Sequence, residues 1–325
     1  MAFVDHGQVM AVAQRLKELT PPKPFNFYSH VQDGEERIDS DMYPPLHHPN
    51  AIDLFMFTVM HEYGFWKHDG KRYVEPLYGV VDGRRSKGSD LLWRALRKEF
   101  ALDPEAFTPR ALDNLSDDDL RWLFSDDDGT IQFHDLERRL ALSHQYARHF
   151  VECGYTPATI VEEANKSASP LSVFLAATTA VPGYDADDLL KKNTLLAMVL
   201  ANRPERFLDV KDPEHWRPIV DYHLMRLSLR LGCVRLSPEE AQKSQSREFA
   251  TAPEERKIRH ATYDALKKLV QESGYSPSSL DGLLWMGRQY CPEMDAPACD
   301  KCVFDSICKK EISLFQPVSP DTTAY

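Results

Sequence analysis

Apolar side chains recur along most of the chain at intervals of three or four residues, which places them on one face of an α-helix. The strict alternation typical of β-strands is scarce, and residues 71–81 form the one plausible short hairpin or extended segment. Prolines and glycines divide the chain into short units. The pattern therefore predicts an all-α protein. The clearest helical stripes are Leu54, Phe57, Thr58, His61 and Phe65; Leu136, Leu140, Ser143, Ala147 and Phe150; and Leu189, Asn193, Leu196 and Leu200.

The same punctuation predicts three regions. Residues 1–45 are expected to form a helix followed by an irregular, proline-containing arm. Residues 46–312 form a helical body, and residues 313–325 are expected to be a loose tail.

Composition restricts the function classes. The chain has 325 residues, 42% of them apolar, which is enough to bury a substantial core. Its formal net charge of −11 opposes a protein that grips a long nucleic-acid backbone, although a local basic patch is still compatible with it. No leader and no apolar run approaching eighteen residues is evident, so we expect a cytoplasmic protein with reduced thiols and no membrane partner. Oligomeric state cannot be read from the sequence.

Four of the six cysteines lie within eighteen residues, in CPEMDAPACDKCVFDSIC, with the spacing C-x7-C-x2-C-x5-C. Such clustering predicts one metal centre: a [4Fe–4S] cluster or, alternatively, a structural zinc site. Two disulfides are disfavoured because nothing indicates secretion. One compact, unevenly spaced loop favours the cluster over zinc. Cys153 and Cys233 are expected to be core thiols. The proposed ligands are Cys291, Cys299, Cys302 and Cys308.

The segment VDYHLMRLSLRLG, residues 220–232, predicts an amphipathic helix with Pro218 in its first turn. Asp221 lies near the helix start but off the apolar stripe, so its carboxylate faces outward or into a cleft. By itself it could simply complement the helix dipole. The stripe consists of Val220, Leu224, Leu227 and Leu231.

This segment resembles the VDTHVxRVxxRLG stretch of the endonuclease III family of helix-hairpin-helix DNA glycosylases. The resemblance implies that Asp221 is the catalytic carboxylate. The cysteine loop, entered through WMGRQYC, resembles the HGRxxC entry of the same family's [4Fe–4S] loop, with x7 in place of x6 in its first interval. The residues that match in the helix are Val220, Asp221, His223, Arg226, Arg230, Leu231 and Gly232.

Upstream, VPG at residues 181–183 resembles the start of the family's LPGVGxKTA hairpin. Lys191 and Lys192 follow after an apparent insertion, but the glycine-rich second half of the hairpin is missing. The departure speaks against the standard backbone grip on DNA phosphate and against a lyase lysine. We therefore expect a monofunctional hydrolase.

A longer resemblance, over roughly residues 50–235, is to the queuosine salvage proteins, which are queuosine 5′-phosphate N-glycosylases on the same helical fold. Those enzymes act on a free modified nucleotide and ordinarily lack the cysteine loop. The chain thus resembles a salvage-like body joined to an endonuclease III-like cluster region. The segments that carry this resemblance, in order, are LFMFTVMHEYGFW, GSDLLWRAL, LRWLF with LERR, VEEANKSASPL, VPGYDADD and VDYHL.

Together these resemblances imply a two-lobed, DNA-glycosylase-like fold. One lobe is expected at about 105–205, and the other combines about 46–104 with 206–312, so the chain crosses back once. Asp221 is expected at the cleft between them.

The leading hypothesis is an N-glycosylase that hydrolyses the base–sugar bond of a modified purine or 7-deazaguanine nucleoside or nucleotide. Asp221 would stabilise the oxocarbenium-like sugar and activate water. The alternatives are a DNA glycosylase that excises a damaged or modified base in repair, and a non-catalytic iron–sulfur protein that binds nucleic acid. The expected substrate contacts are Lys192 and Lys191 to phosphate, Phe65 and Trp66 stacked on the base, and His223.

Overall fold

The computed structural model describes residues 2–32, 35–133 and 135–325, and helices dominate its regular structure. The prediction of a mostly helical protein is confirmed. Within the described ranges the α-helices are α1 (His6–Lys17), α2 (Ala51–Met60), α3 (Ser89–Leu102), α4 (Pro109–Asp113), α5 (Asp117–Leu123), α6 (Leu136–Cys153), α7 (Pro157–Asn165), α8 (Pro170–Thr178), α9 (Lys191–Asn202), α10 (Tyr222–Leu231), α11 (Pro238–Ser246), α12 (Ala252–Ser273) and α13 (Pro277–Gly287).

Short antiparallel strand pairs supplement the helices. The predicted extended segment at 71–81 is confirmed, but each half pairs with a flanking strand and not with the other half. The arm within residues 1–45 also contains a strand pair, which the sequence did not predict. The pairs are β1 (Phe3–Val4) with β8 (Val234–Arg235), β2 (Ser29–Gln32) with β3 (Glu35–Ile38), β4 (Trp66–His68) with β5 (Tyr73–Pro76), and β6 (Tyr78–Val81) with β7 (Arg84–Lys87).

The β6–β7 hairpin turns through Asp82 and Gly83, both at positive φ (52° and 70°). An Asp-Gly pair in this conformation suits a two-residue hairpin loop, because its backbone twist matches that of the strands. The turn presents the basic side chains of β7 beside the first turns of α3, which packs on both strands.

Local signals fix several helix starts. Ser116, Thr156, Ser237 and Thr251 each cap a helix through a reciprocal side-chain and backbone pair. Two predicted stripes nevertheless extend beyond their helices. Helix α2 ends at Met60, before His61 and Phe65, and α9 begins only at Lys191, after Leu189.

Buried apolar side chains form two core clusters. The first draws on residues 43–208, and the second on residues 9–16, two side chains of the β4–β5 region and residues 220–325. Most buried residues of 46–104 belong to the first cluster, with Trp66 and Tyr73 in the second. The predicted assignment of residues to lobes stays a prediction.

The segment 313–325 lacks regular structure, as expected, but it is not loose. Its apolar side chains are buried in the second cluster, and the Tyr325 carbonyl accepts a hydrogen bond from Gly64 N at 3.1 Å. No helix in the described part of the chain is both long and apolar enough to span a bilayer. The residues of this segment in the second cluster are Leu314, Phe315, Val318, Ala324 and Tyr325.

Candidate functional site

Asp221 is the N-cap of α10. Its backbone is extended, and its Oδ1 accepts a hydrogen bond from Leu224 N at 2.8 Å, which satisfies one free donor of the first turn. The helix therefore starts one residue after Asp221, and Pro218 lies ahead of the helix and not in its first turn. The side chain is half-buried, and the described residues offer it no further hydrogen bond. One carboxylate oxygen is thus available to a ligand.

Asp281, on α13, is a second half-buried carboxyl group close to Asp221. Burial, followed by the negative charge of Asp221, raises the pKa of Asp281 to about 8, while Lys191 opposes the shift. Sequence reasoning missed this residue. Its one signal is a lone acid inside the otherwise apolar stretch LDGLLW.

Lys191, the first residue of α9, also lies within electrostatic range of Asp221. Its Nζ is buried and donates to the Glu62 carbonyl oxygen at 2.9 Å. Burial lowers the pKa of Lys191, and the charges of Glu62 and Asp221 oppose that effect. Burial likewise raises the pKa of Glu62, whose carboxyl accepts a hydrogen bond from Ser89 Oγ at 2.7 Å.

Arg259 connects the start of α9 to the start of α10. Arg259, on α12, donates to both carboxylate oxygens of Asp187 at 2.7 Å and to the Val220 carbonyl at 3.1 Å. Asp187 in turn accepts a hydrogen bond from Lys191 N at 2.7 Å. Because Val220 precedes Asp221, the Arg259 side chain holds Lys191 and Asp221 in one arrangement.

Arg288 completes the cluster from the end of α13. Its guanidinium lies 3.3 Å from the centre of the Trp285 ring and is half-buried. Burial lowers the pKa of Arg288, and the charges of Asp90, Tyr222 and Asp221 act in the opposite direction. We call Asp221, Asp281, Lys191 and Arg288 the carboxylate cluster. Two acids with two cations in electrostatic range can stabilise a positive centre and transfer a proton.

The other predicted contacts lie in more enclosed positions. Lys192 is buried, and its Nζ donates to the carbonyl oxygens of Met60 at 2.6 Å and Gly183 at 2.9 Å. Those contacts lend no support to a phosphate contact. Phe65 and Trp66 are buried in the first and second core clusters respectively, so stacking on a base stays a prediction.

Gly183 has φ +86°, and a Cβ there would press on Met60, so only glycine suits this turn. The turn is the VPG start of the predicted hairpin, and its carbonyl receives the Lys192 ammonium.

His223, on α10, is buried, and its imidazole faces side chains of α10 and of the cysteine loop. Its Nδ1 lies 3.2 Å from Arg226 Nη1 and 3.5 Å from Glu293 Oε1. Burial, reinforced by Arg226, holds the pKa of His223 well below its ordinary value. A direct substrate contact for this imidazole stays a prediction.

The four clustered cysteines are all free thiols, and all four line one small cavity of about 40 Å³. Arg230 Nη1 donates to Cys291 Sγ and Lys310 N to Cys308 Sγ, each at 3.3 Å. Hydrogen bonds of this kind stabilise metal-bound thiolates. Among the described residues, no group of three or more His, Cys, Asp or Glu side chains is arranged so that it could hold a metal ion. The shared cavity and the donors to sulfur fit a thiolate-bound metal group.

The cysteine loop is fastened to α10. Arg226 Nη2 donates to the Cys291 carbonyl at 3.4 Å, and Arg230 Nη1 donates to the Pro292 carbonyl at 2.7 Å. Gln8, on α1, bridges the end of α10 and the loop through bonds of 2.8 and 2.7 Å to the Leu231 and Ile307 carbonyls. Helix α10, which Asp221 caps, therefore supports the cysteine loop.

The remaining two cysteines differ from each other. Cys233 is buried, as predicted, and burial raises its pKa to about 12. Cys153 is exposed at the end of α6, so the prediction of a core thiol is wrong for it.

Comparison of the chain with protein-family models and with curated proteins finds no match in either set. The family resemblance therefore rests on the motifs and their order.

Proposed function

We propose that the protein is an N-glycosylase that hydrolyses the base–sugar bond of a modified purine or 7-deazaguanine nucleotide, as the queuosine salvage proteins do. The observation that carries the proposal is that two half-buried acids, Asp221 at the N-cap of α10 and Asp281 on α13, stand on helices that pack against each other. Two acids in unlike environments are the usual equipment for breaking a glycosidic bond.

The two acids divide the work. Asp221, as the carboxylate, stabilises the positive charge that develops on the sugar and orients the attacking water. Asp281 holds a proton at neutral pH and donates it to the departing base. Lys191 and Arg288 both lie within electrostatic range of Asp221.

The site also joins the two core clusters, since α9 contributes to the first and α10 to the second. This supports the two-lobed arrangement, with the carboxylate cluster in the cleft between the lobes. We further propose that Cys291, Cys299, Cys302 and Cys308 hold a [4Fe–4S] cluster, which serves as structural support for α10.

The test is release of free base, measured by chromatography, from a panel of modified purine and 7-deazaguanine nucleotides and from DNA that contains modified bases. We expect release from a free nucleotide and none from DNA. Release from DNA alone, with binding that falls steeply as salt is added, would establish the DNA glycosylase alternative. No release from either panel leaves the non-catalytic binding protein.

Borohydride separates hydrolysis from lyase chemistry. The ammonium groups of Lys191 and Lys192 are both buried and engaged with backbone carbonyls, so neither is placed to attack a sugar. We expect no borohydride-trapped adduct with any substrate that is cleaved. An adduct lost in Lys192→Ala would identify that lysine as a nucleophile.

A further inference from the structure

A basic cavity of about 270 Å³ opens beside the β6–β7 hairpin and the first turns of α3. Four of its lining side chains are cationic, against one carboxyl group, in a protein whose net charge is −11. Such a local excess of positive charge, opposite in sign to the whole molecule, is suited to an anionic ligand. The lining residues are Tyr78, Arg84, Arg85, Ser86, Lys87, Asp90 and Arg94.

Arg94 gives the cavity a built donor. Its side chain is only 7% exposed and lines the cavity, and its Nε is buried without a hydrogen-bond partner among the described residues. The other end of its guanidinium pairs with Asp41, which holds the group in place. The nearly buried guanidinium, held by Asp41, therefore gives the cavity wall a fixed positive charge.

The remaining cations have unequal partners. Arg84 Nη1 lies 2.9 Å from Asp41, and Lys87 Nζ lies 2.5 Å from Glu293. Arg85 lies 3.9 Å from the centre of the Tyr78 ring and pairs with no carboxylate within the described residues. Arg85 is thus the cation that has no carboxylate partner among the described residues, and Arg94 is the nearly buried cation of the cavity wall.

Two connections place this cavity next to the carboxylate cluster. Asp90, on the cavity wall, and Asp221 both lie near enough to Arg288 to raise its pKa against the effect of burial. On the other side, Lys87 pairs with Glu293, which lies 3.5 Å from the ring of His223, two residues along α10 from Asp221. A ligand whose anionic group occupied the cavity could therefore extend toward Asp221.

We propose that the basic cavity binds the phosphate monoester of a nucleoside 5′-monophosphate, with Arg94 and Arg85 as its donors. The identity of the rest of the ligand rests on the proposed N-glycosylase function; the phosphate site itself does not. The proposal transfers the phosphate-binding role from Lys191 and Lys192 to residues of β7 and α3. Arginine suits it because its planar guanidinium donates two parallel hydrogen bonds to phosphate oxygens.

The direct test is calorimetric titration of the full chain with inorganic phosphate. Arg85→Gln and Arg94→Gln should each weaken binding about tenfold or more, as expected for loss of a charge-assisted hydrogen bond. Arg148→Gln, which removes the same charge from an exposed position on α6, should leave binding unchanged. Arg85 is exposed, so Arg85→Gln should fold normally. It therefore still tests the site if Arg94→Gln folds poorly. No phosphate binding by the unaltered protein, or equal binding by Arg85→Gln, would overturn the site.

Kinetics then separate this site from the reaction. With a nucleotide that is cleaved, Arg85→Gln should raise KM and change kcat little, and with the matching nucleoside it should change neither. Phosphate binding that depends on Arg85, with no base release from any nucleotide, would refute the proposed function and keep the site. Tighter binding of single-stranded DNA than of a mononucleotide through these residues would overturn the monoester assignment in favour of a diester.

Discussion

Asp221 both caps a helix and belongs to the carboxylate cluster, and a single substitution can separate these roles. Asparagine also caps helices well, so Asp221→Asn should keep the bond from Leu224 N and the fold. Loss of the negative charge should slow base release about a hundredfold or more, since one preorganised electrostatic group is worth about 3–4 kcal/mol. Turnover and thermal unfolding measured on the same sample check this; full activity in the variant would leave only the binding-protein interpretation.

Asp281 should set the alkaline limb of the pH–rate profile. With its pKa raised to about 8, it is protonated at neutral pH and loses its proton as the pH rises through that value. Base release should therefore decline above about pH 8. Asp281→Asn should be slower at neutral pH and should lack this limb, because the amide neither donates nor titrates.

The same residue should make stability depend on pH. Its pKa in the folded protein lies above the unfolded value of 3.8, so its contribution is complete below about pH 4 and is lost as pH rises toward 8. Asp281→Asn should flatten the fall in unfolding temperature across this window. An unchanged slope would contradict the placement of Asp281 in a desolvated site.

Candidate site residues could be predicted from the sequence where they lie in a recognisable motif. Asp221 stands in a recognisable segment, and the structure puts it at the start of its helix, as the sequence indicated. Asp281 follows it by sixty residues in the chain, and only tertiary packing brings the two together. The burial of Lys192 was equally hidden, because a lysine near a helix start is ordinarily solvated.

At the scale of the elements, two arginines one turn apart on α12 form ion pairs with adjacent aspartates. Arg259 and Asp187 are both buried, whereas Arg256 and Asp188 are both exposed. Arg259→Met leaves a buried carboxylate without its partner and should lower the free energy of unfolding by about 3–5 kcal/mol. Arg256→Met should cost at most about 1 kcal/mol. Chemical denaturation compares the two.

Activity adds a second readout to this comparison. Because Arg259 also holds the Val220 carbonyl, its loss should reduce base release even well below the unfolding transition. Equal effects of the two variants on stability and activity would show that the buried contacts do not position Lys191 and Asp221.

Helix existence was easier to predict than helix ends. The stripe through Leu54 and Phe57 identified α2, yet the continuation to Phe65 was wrong, because the chain turns at Gly64 (φ +70°) into β4. Apolar periodicity does not distinguish a helix from a following buried strand when both face the same core. The strand pairs elsewhere are too short to leave an alternating pattern.

At the scale of the whole molecule, the two core clusters should respond differently to loss of the [4Fe–4S] cluster that we propose for the cysteine loop. The protein prepared without oxygen should be brown, and Cys299→Ser should remove the colour. Hydrogen exchange in Cys299→Ser should accelerate in α1, α10 and residues 288–325, and stay slow in α2, α6 and α9. Colourless protein with stoichiometric zinc would show that the metal is zinc.

Residues 313–325 pack against distant parts of the molecule, and the prediction of a loose tail is wrong. A segment with proline, serine and threonine and no helical period is typically loose. Here Phe315 N and its carbonyl both bond the Ser244 hydroxyl, and Leu314 O accepts from Arg230 Nε. Distant partners satisfy the backbone in place of a regular ladder.

Asp221 caps helix α10, whose second and third turns carry the two arginines, Arg226 and Arg230, that bond the cysteine loop. At 1.5 Å per residue its ten residues span about 15 Å, so it acts as a stiff strut between them. If the loop holds the proposed cluster, iron content should indicate the quality of any preparation, and specific activity should rise in proportion to the iron bound. Enzyme handled in air could be mistaken for an active-site mutant, and reconstitution with iron and sulfide would reveal the difference.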